Sequence, residues 1–195
     1  MVRGGRRGVR LRSPRRKPRR AGAAYRPPLF SDRPVNTSTF LATAGLGVAA
    51  GMRSMTAPAA LAHVLSRQAL RPDGQPARLL ASPRVAGLAR LAAAGEYVGD
   101  KMPFAPDRTD ALPLGGRIGS GALVGAAAAA ARRESLVLGA VVGAAAAVAG
   151  SFAMVRVRKA LPGALGVPDL PVALAEDAAA VALALVSARA AVRAA

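Results

Sequence analysis

The chain has 195 residues, of which 52% are hydrophobic but only 3% are aromatic, and it contains neither Cys nor Trp. A soluble core of this size normally uses more large side chains, whereas an Ala- and Gly-rich membrane bundle packs through small residues. The lack of Cys excludes disulfides and thiolate metal sites, and the formal charge of +18 is concentrated at one end of the chain.

Residues 1–34 form a basic tail with twelve Lys or Arg residues and a single Asp. Because the tail is rich in Gly and Pro and poor in apolar residues, we predict that it is disordered. Three interpretations stay open: binding to anionic lipid, binding to nucleic acid, and a segment that is not translated because synthesis starts at Val35. Nucleic acid is the least favoured, since no aromatic residues alternate with the arginines to stack on bases. A cleavable signal peptide also fits poorly.

Residues 35–195 are predicted to form one membrane-embedded, all-α domain, a polytopic bundle of about four or five transmembrane helices. The first segment, 36–66, is uncharged except for Arg53. It contains three glycines and Pro58, which predict a kink or a break in its middle. A polar connector with four arginines follows over residues 67–84.

Four more membrane segments are predicted over residues 85–104, 112–131, 135–155 and 170–188. The clearest is 135–155, because its 21 consecutive residues are uncharged and about 20 suffice to cross the hydrocarbon. This segment also lacks the polar stripe of a surface helix. Small residues repeat at a spacing of four, which predicts close helix packing in lipid; the pairs are Gly47/Gly51, Gly115/Gly119, Gly121/Gly125 and Gly139/Gly143.

The distribution of basic residues leaves the topology open. Five spans with a cytoplasmic tail would place the connector 67–84 outside, against the positive-inside tendency. A chain that starts at Val35 with its N-terminus outside would place this connector and the basic C-terminal end inside. A first segment that re-enters instead of spanning would also bring the tail and the connector to the same side.

Seven charged residues inside the predicted helices are the candidate ion- or substrate-binding residues. A charge in hydrocarbon costs about 2.5–3.5 kcal/mol on insertion scales, so such residues usually face a bundle interior or a cavity and usually have a function. The seven are Arg53, Glu96, Asp100, Lys101, Arg117, Glu176 and Asp177.

Some of these residues also have a structural explanation. Asp100 and Lys101 fit the interfacial end of a helix, and Arg117 fits an anchor whose charge reaches the interface. Glu176 and Asp177 are adjacent and point about 100° apart on a helix, so we expect one of them to face the interior. His63 fits an interfacial position better than a metal site.

Glu96 and Asp100 are four residues apart, which places both carboxylates on one helix face with Ala89 and Ala93. Like charges repel at this spacing. Therefore either a cation bridges the carboxylates, or one of them stays protonated, or a basic partner neutralises them. The candidate partners are Arg53, Arg117 and Lys101.

Three motifs carry a resemblance to a known family: G-x-R-S-x-x-x-P at residues 51–58, E-x-x-x-D-K-x-P-x-x-P-x-R at residues 96–108, and G-R-x-x-x-G at residues 116–121. Over about residues 38–190 the chain resembles a family of small, uncharacterised bacterial integral-membrane proteins classed as a domain of unknown function. The resemblance implies a membrane location and nominates positions rather than an activity. These positions are Arg53, Ser54, Pro58, Glu96, Asp100, Lys101, Pro103, Arg108, Arg117 and Gly121.

A short similarity between residues 50–55 and 149–154 is consistent with an inverted repeat, as in many transporters. We find no catalytic motif and predict neither an enzyme nor a cofactor. The leading hypothesis is a small transporter or channel in the bacterial cytoplasmic membrane that uses intramembrane carboxylates and Arg. The alternative is a structural or partner-binding membrane protein whose buried charges pair helices. The lipid bilayer is the expected partner, and homo-oligomerisation is left open.

Overall fold

The computed structural model describes residues 33–69, 72, 74–99, 111–165 and 169–193, which form seven α-helices and no β-strand. The prediction of an all-α fold is confirmed. The helices are α1 (Thr37–Met52), α2 (Thr56–Ser66), α3 (Ala77–Leu80), α4 (Pro83–Gly99), α5 (Ala111–Ala131), α6 (Leu136–Leu165) and α7 (Asp169–Arg193).

Among the described residues, three helices are long and apolar enough to cross a membrane, over Ala111–Ala131, Leu136–Ala160 and Pro171–Arg193. The apolar α1 is shorter, and α4 has 17 residues. Large apolar side chains lie on the outside of the bundle, for example Leu91, which is 71% exposed. Such a surface suits lipid and not water, so the fold is that of a helical membrane bundle.

The first predicted segment is divided into two helices. An extended residue, Arg53, ends α1, and α2 begins three residues later at Thr56. Pro58 lies in the first turn of α2, where its missing N–H costs no helical hydrogen bond. The predicted break is present. It lies after the three glycines, which all belong to the continuous α1, and before Pro58 in α2.

The α1–α2 unit is a helical hairpin whose two outer ends lie at the same end of the bundle. Asn36 caps the start of α1, and its side-chain amide donates to the carboxylate of Glu134 at 2.6 Å. Glu134 lies just after the end of α5, so the start of α1 is next to the end of α5. On the other arm, the connector that follows α2 returns to the same place, since Gly74 lies beside Ala130. We call this the basic end, because it carries Arg67, Arg78, Arg84, Arg132, Arg133, Arg189 and Arg193.

The remaining long helices run alternately away from and towards the basic end. α4 leaves it and α5 returns, so that the end of α5 lies beside the end of α7, where Arg132 Nε donates to the carbonyl of Ala191 at 2.9 Å. α6 leaves the basic end again and α7 returns. In this arrangement the hairpin enters the bundle and comes back, as a re-entrant segment does.

Glycines let α1, α5 and α6 approach closely. A Cβ added at Gly121 on α5 would lie 2.5 Å from the carbonyl oxygen of Gly143 on α6, and one at Gly47 on α1 would lie 2.5 Å from the same oxygen. Real side chains do not tolerate such distances. Three of the four predicted glycine pairs therefore contribute to helix packing, but Gly115 and Gly119 have no such neighbour within 4 Å.

Residues 1–32 of the predicted tail lie outside the part of the chain that the structure describes, whereas the carbonyl of Arg33 accepts a hydrogen bond from the Ser135 amide at 3.2 Å. The segments compared as an inverted repeat differ in structure. Residues 50–55 contain the break of the hairpin, while residues 149–154 lie within the continuous α6.

Candidate functional site

The break between α1 and α2 exposes backbone groups that a continuous helix would pair internally. The last carbonyls of α1 and the first N–H groups of α2 have no partner within their own helices. Met55, at the N-cap position of α2, provides no side-chain cap. Inside a membrane bundle these groups need partners from other helices, because water is not freely available to them.

Glu96 on α4 provides the partner for the start of α2. Its Oε1 accepts from the main-chain N–H of Ser54 at 2.7 Å and from the Ser54 hydroxyl at 2.8 Å. Its Oε2 accepts from the N–H of Met55 at 2.8 Å. A carboxylate is favoured at this position because the N-terminus of a helix carries a partial positive charge.

Arg117 on α5 acts at the opposite half-helix end. Its guanidinium donates to the carbonyl of Gly51, near the C-terminus of α1, at 3.2 Å, where the helix dipole favours a cation. The hydroxyl of Ser151 on α6 also contacts this carbonyl at 3.1 Å, and the hydroxyl of Ser120 donates to the carbonyl of Ser54. The side chain of Arg117 is buried, with the residue 4% exposed.

Arg53 occupies the break itself and joins it to α7. Its Nε donates to Oδ1 of Asp177 at 2.9 Å, and its Nη2 contacts the same oxygen. The guanidinium carbon lies 5.0 Å from the centre of the Tyr97 ring, a distance suited to a cation–π contact. The Tyr97 hydroxyl in turn hydrogen-bonds that of Thr56 at 2.9 Å.

The charged residues around the break lie deep in the bundle. Glu96 follows the start of α4 by thirteen residues, and Asp177 precedes Ala191 by fourteen. At 1.5 Å per residue both lie about 20 Å from the basic end, roughly two-thirds of the way across a hydrocarbon core of about 30 Å. We call the group of Arg53, Glu96, Arg117 and Asp177 the charged cluster.

The structure therefore brings together four of the seven predicted site residues. Glu96, however, caps the backbone at Ser54 and Met55, and this contact with main-chain donors was not among the predicted outcomes. Ala89 and Ala93 are buried on the same face of α4, as its helical spacing predicts. Asp100 and Lys101 lie outside the described residues.

Glu176 lies apart from the charged cluster, on the side of α7 that faces α6. The residue is 4% exposed, and its Oε2 lies 3.7 Å from Nη1 of Arg158. Of this pair only Glu176 is fully buried, and Asp177 keeps 13% of its side chain exposed. Both side chains contact neighbouring helices, because Glu176 points towards α6 and Asp177 towards the hairpin.

Three contributors to the site were missed from sequence. Tyr97 follows Glu96 directly, and Ser120 lies within the G-R-x-x-x-G motif. Ser151 is a fully buried hydroxyl in the most apolar helix. A buried hydroxyl in such a helix is a signal in itself, since it needs a hydrogen-bond acceptor.

An apolar groove of about 420 Å³ runs from the charged cluster towards the basic end, between α2, α4 and α7. Thr56 and Tyr97 line it near the cluster, and His63 and Arg90 line it nearer the basic end. The site is thus a set of opposite charges at a helix break, with both arginines buried and both carboxylates partly buried, and a groove lies beside it.

The family model described as "Domain of unknown function (DUF4126)" matches residues 40–195, a range that contains all four residues of the charged cluster. No curated protein and no solved structure matches the chain.

Proposed function

We propose a function from the geometry of the helix break, since the chain belongs to the DUF4126 family, a family of unknown function. The proposal is a small transporter or channel of the bacterial cytoplasmic membrane. A proton or a metal cation binds at the carboxylates of Glu96 and Asp177, beside the guanidinium groups of Arg53 and Arg117.

The observation that carries this proposal is the interrupted hairpin with a carboxylate at its break. Non-helical backbone at membrane depth occurs where it is buried in protein or lines a water-filled cavity. In many transporters the two half-helix ends of such a break bind the substrate and the coupling ion. Here Glu96 and Arg117 occupy these two positions, so the protein's own charges stand where ions bind in that type of site.

The contacts of Glu96 suggest how ion binding changes the hairpin. The ionised carboxylate accepts three hydrogen bonds from Ser54 and Met55. A proton or a cation on this carboxylate competes with those donors and weakens its hold on the start of α2. Neutralising Glu96 therefore loosens the break, and this couples occupancy of the site to the position of α2.

The same geometry favours an orientation. The first arm of the hairpin begins at the basic end and the second arm returns to it, and the ends of α5 and α7 lie there too. The positive-inside tendency places this end in the cytoplasm. The charged cluster then lies in the outer half of the membrane, and the groove leads from it towards the cytoplasm.

Ion flux into reconstituted vesicles tests the proposal. Purified protein is incorporated into liposomes that contain a pH-sensitive dye, and a potassium diffusion potential drives proton entry. Parallel samples contain Na⁺, Mg²⁺ or Ca²⁺ with matching indicators. We expect flux of a proton or of one cation in the unaltered protein and its loss in Glu96→Gln. Flux that persists in this variant at equal protein content would contradict the role of Glu96.

A second function is favoured by the balance of charges in the cluster. Two arginines and two carboxylates give no net charge, and each side chain bonds to another helix. A structural or partner-binding membrane protein would use the cluster only to hold the hairpin in place. It predicts that Glu96→Gln lowers the amount of folded protein while the unaltered protein conducts none of the tested ions.

A further inference from the structure

We propose that the groove between α2, α4 and α7 binds one anionic phospholipid, with an acyl chain along the groove and the phosphate at Arg67, Arg90 and Arg189. The proposal does not depend on transport, because it concerns a different set of side chains and is tested by binding. It also differs from lipid binding by the basic tail.

The walls of the groove are apolar and made largely of small side chains. They come from three helices: Ala59, Ala60, Ala93, Ala94, Val181 and Leu185. Small residues leave a continuous channel along the surface, and its volume of about 420 Å³ is open towards the side of the bundle. In a bilayer this surface faces lipid, so a chain of methylene groups is the occupant that its chemistry fits.

The end of the groove nearer the basic end is positively charged. Arg90 lines the groove together with His63. Arg67 follows His63 by four residues and Arg189 follows Leu185, another groove residue, by four, so both lie about one helical turn beyond the groove, towards the basic end. All three arginines are exposed. Within the described part of the chain, no carboxylate lies within salt-bridge distance of any of them. An anionic ligand would thus meet three cationic side chains that no ion pair neutralises.

Arg90 makes the strongest case for a headgroup. It lies seven residues into α4, about 10 Å from the start of the helix. Its Nε donates to the carbonyl of Ala86 at 3.2 Å, so the guanidinium is turned back towards the basic end. A guanidinium at this depth on a lipid-facing surface is costly unless an anion accompanies it, and a lipid phosphate at the interface provides that anion.

A lipid fits these features better than free phosphate does. Free phosphate would satisfy the arginines but leave the apolar groove below them without a ligand. A phospholipid can occupy both at once, because its acyl chain is joined to its phosphate. The chain then lies along the apolar walls while the phosphate contacts the three arginines at the end of the groove. Basic pockets between helices on the cytoplasmic side are typical sites for anionic headgroups.

Native mass spectrometry of the full chain with added lipid tests the proposal. Phosphatidylglycerol and phosphatidylcholine with identical chains are titrated separately, and the fraction of protein that carries one lipid is measured. We expect phosphatidylglycerol to bind at least tenfold more tightly. Each of Arg67→Gln, Arg90→Gln and Arg189→Gln should weaken its binding about fivefold, as expected for about 1 kcal/mol per basic residue.

Matched variants separate the two halves of the site. Arg78→Gln and Arg84→Gln remove exposed arginines of the basic end that do not line the groove and should leave binding unchanged. Ala94→Phe fills the groove from its exposed side and should weaken both lipids, whereas Leu91→Phe, on an exposed part of α4 outside the groove, should not.

Three results would overturn the proposal. Equal affinity for the two lipids would remove the headgroup selectivity. An unchanged affinity in Ala94→Phe would remove the acyl-chain site. Displacement of the lipid by millimolar inorganic phosphate would show that the arginines bind phosphate without any contribution from the groove.

Discussion

Glu96 caps α2 from another helix: its Oε2 accepts the main-chain N–H of Met55 at 2.8 Å, although 41 residues separate the two in sequence. Helix caps usually come from the residue that precedes the helix. In this protein the cap belongs to α4, so the docking of α4 contributes directly to holding the start of α2 in place.

Replacement of Glu96 by Ala should destabilise the protein by about 2–3 kcal/mol, because the partly buried N–H groups of Ser54 and Met55 lose a charged acceptor. Glu96→Gln retains one acceptor oxygen and should cost about half as much. Reversible unfolding in mixed micelles, followed by the loss of helical circular dichroism, measures both values. Equal stability of Glu96→Ala and the unaltered protein would show that the cap contributes nothing.

The Arg53–Asp177 pair should show strong energetic coupling. Each partner is nearly buried, with 3% and 13% of the side chain exposed, so Arg53→Gln or Asp177→Asn alone removes a charge-assisted contact from a nearly buried charge and should cost about 3 kcal/mol or more. The double variant should cost clearly less than the sum of the two. A double-mutant cycle measures the difference, and additive effects would mean that the two charges do not stabilise each other.

The glycine contacts make a prediction with a control on the same helix. Gly121→Ala places a methyl group 2.5 Å from the carbonyl oxygen of Gly143 and should destabilise the bundle by about 1–3 kcal/mol. Gly115→Ala on α5 meets no such neighbour and should be neutral or slightly stabilising, since Ala favours helix over Gly. The melting temperatures of the two variants check this, and similar values would contradict the packing of α5 on α6.

The hairpin predicts a specific labelling pattern, which is simple to test because the chain has no Cys. Ser38→Cys in the first turn of α1 and Gln68→Cys after α2 should react from the same side of the membrane. Ala111→Cys, at the start of α5, should react from the other side. A membrane-impermeant maleimide applied to right-side-out and inverted vesicles measures this. Opposite accessibility of positions 38 and 68 would mean that α1 and α2 form one continuous span.

Helix positions could be predicted from the sequence where an uninterrupted run of apolar residues defines the helix. The third predicted segment, 112–131, agrees with α5 to within one residue. The fourth ended at residue 155 before a basic stretch, but α6 continues to Leu165. Hydropathy places the end of a span at the first charges, whereas the helix itself ends only where its backbone hydrogen bonds end.

The composition of the charged cluster was largely predictable, but its pairing was not. Arg53, Glu96, Arg117 and Asp177 were all nominated because a charge in an apolar segment needs a reason. Their partners depend on how α4, α5 and α7 meet the hairpin, and no local spacing encodes that. From charge alone, a buried carboxylate is expected to pair with an arginine. Glu96 instead accepts from the main-chain N–H groups of Ser54 and Met55, which are available as donors because the helix breaks there.

In the proposed transporter, Glu96 binds the transported ion in addition to capping α2. Glu134 provides a control carboxylate away from the charged cluster, since it is 6% exposed and accepts from the main-chain and side-chain nitrogens of Asn36 at the basic end. The most direct measurement is therefore the ion flux per folded protein in vesicles that contain Glu96→Gln or Glu134→Gln. We predict that flux falls at least tenfold in the first variant and stays near that of the unaltered protein in the second; an equal decrease in both, or none in either, would contradict the claim.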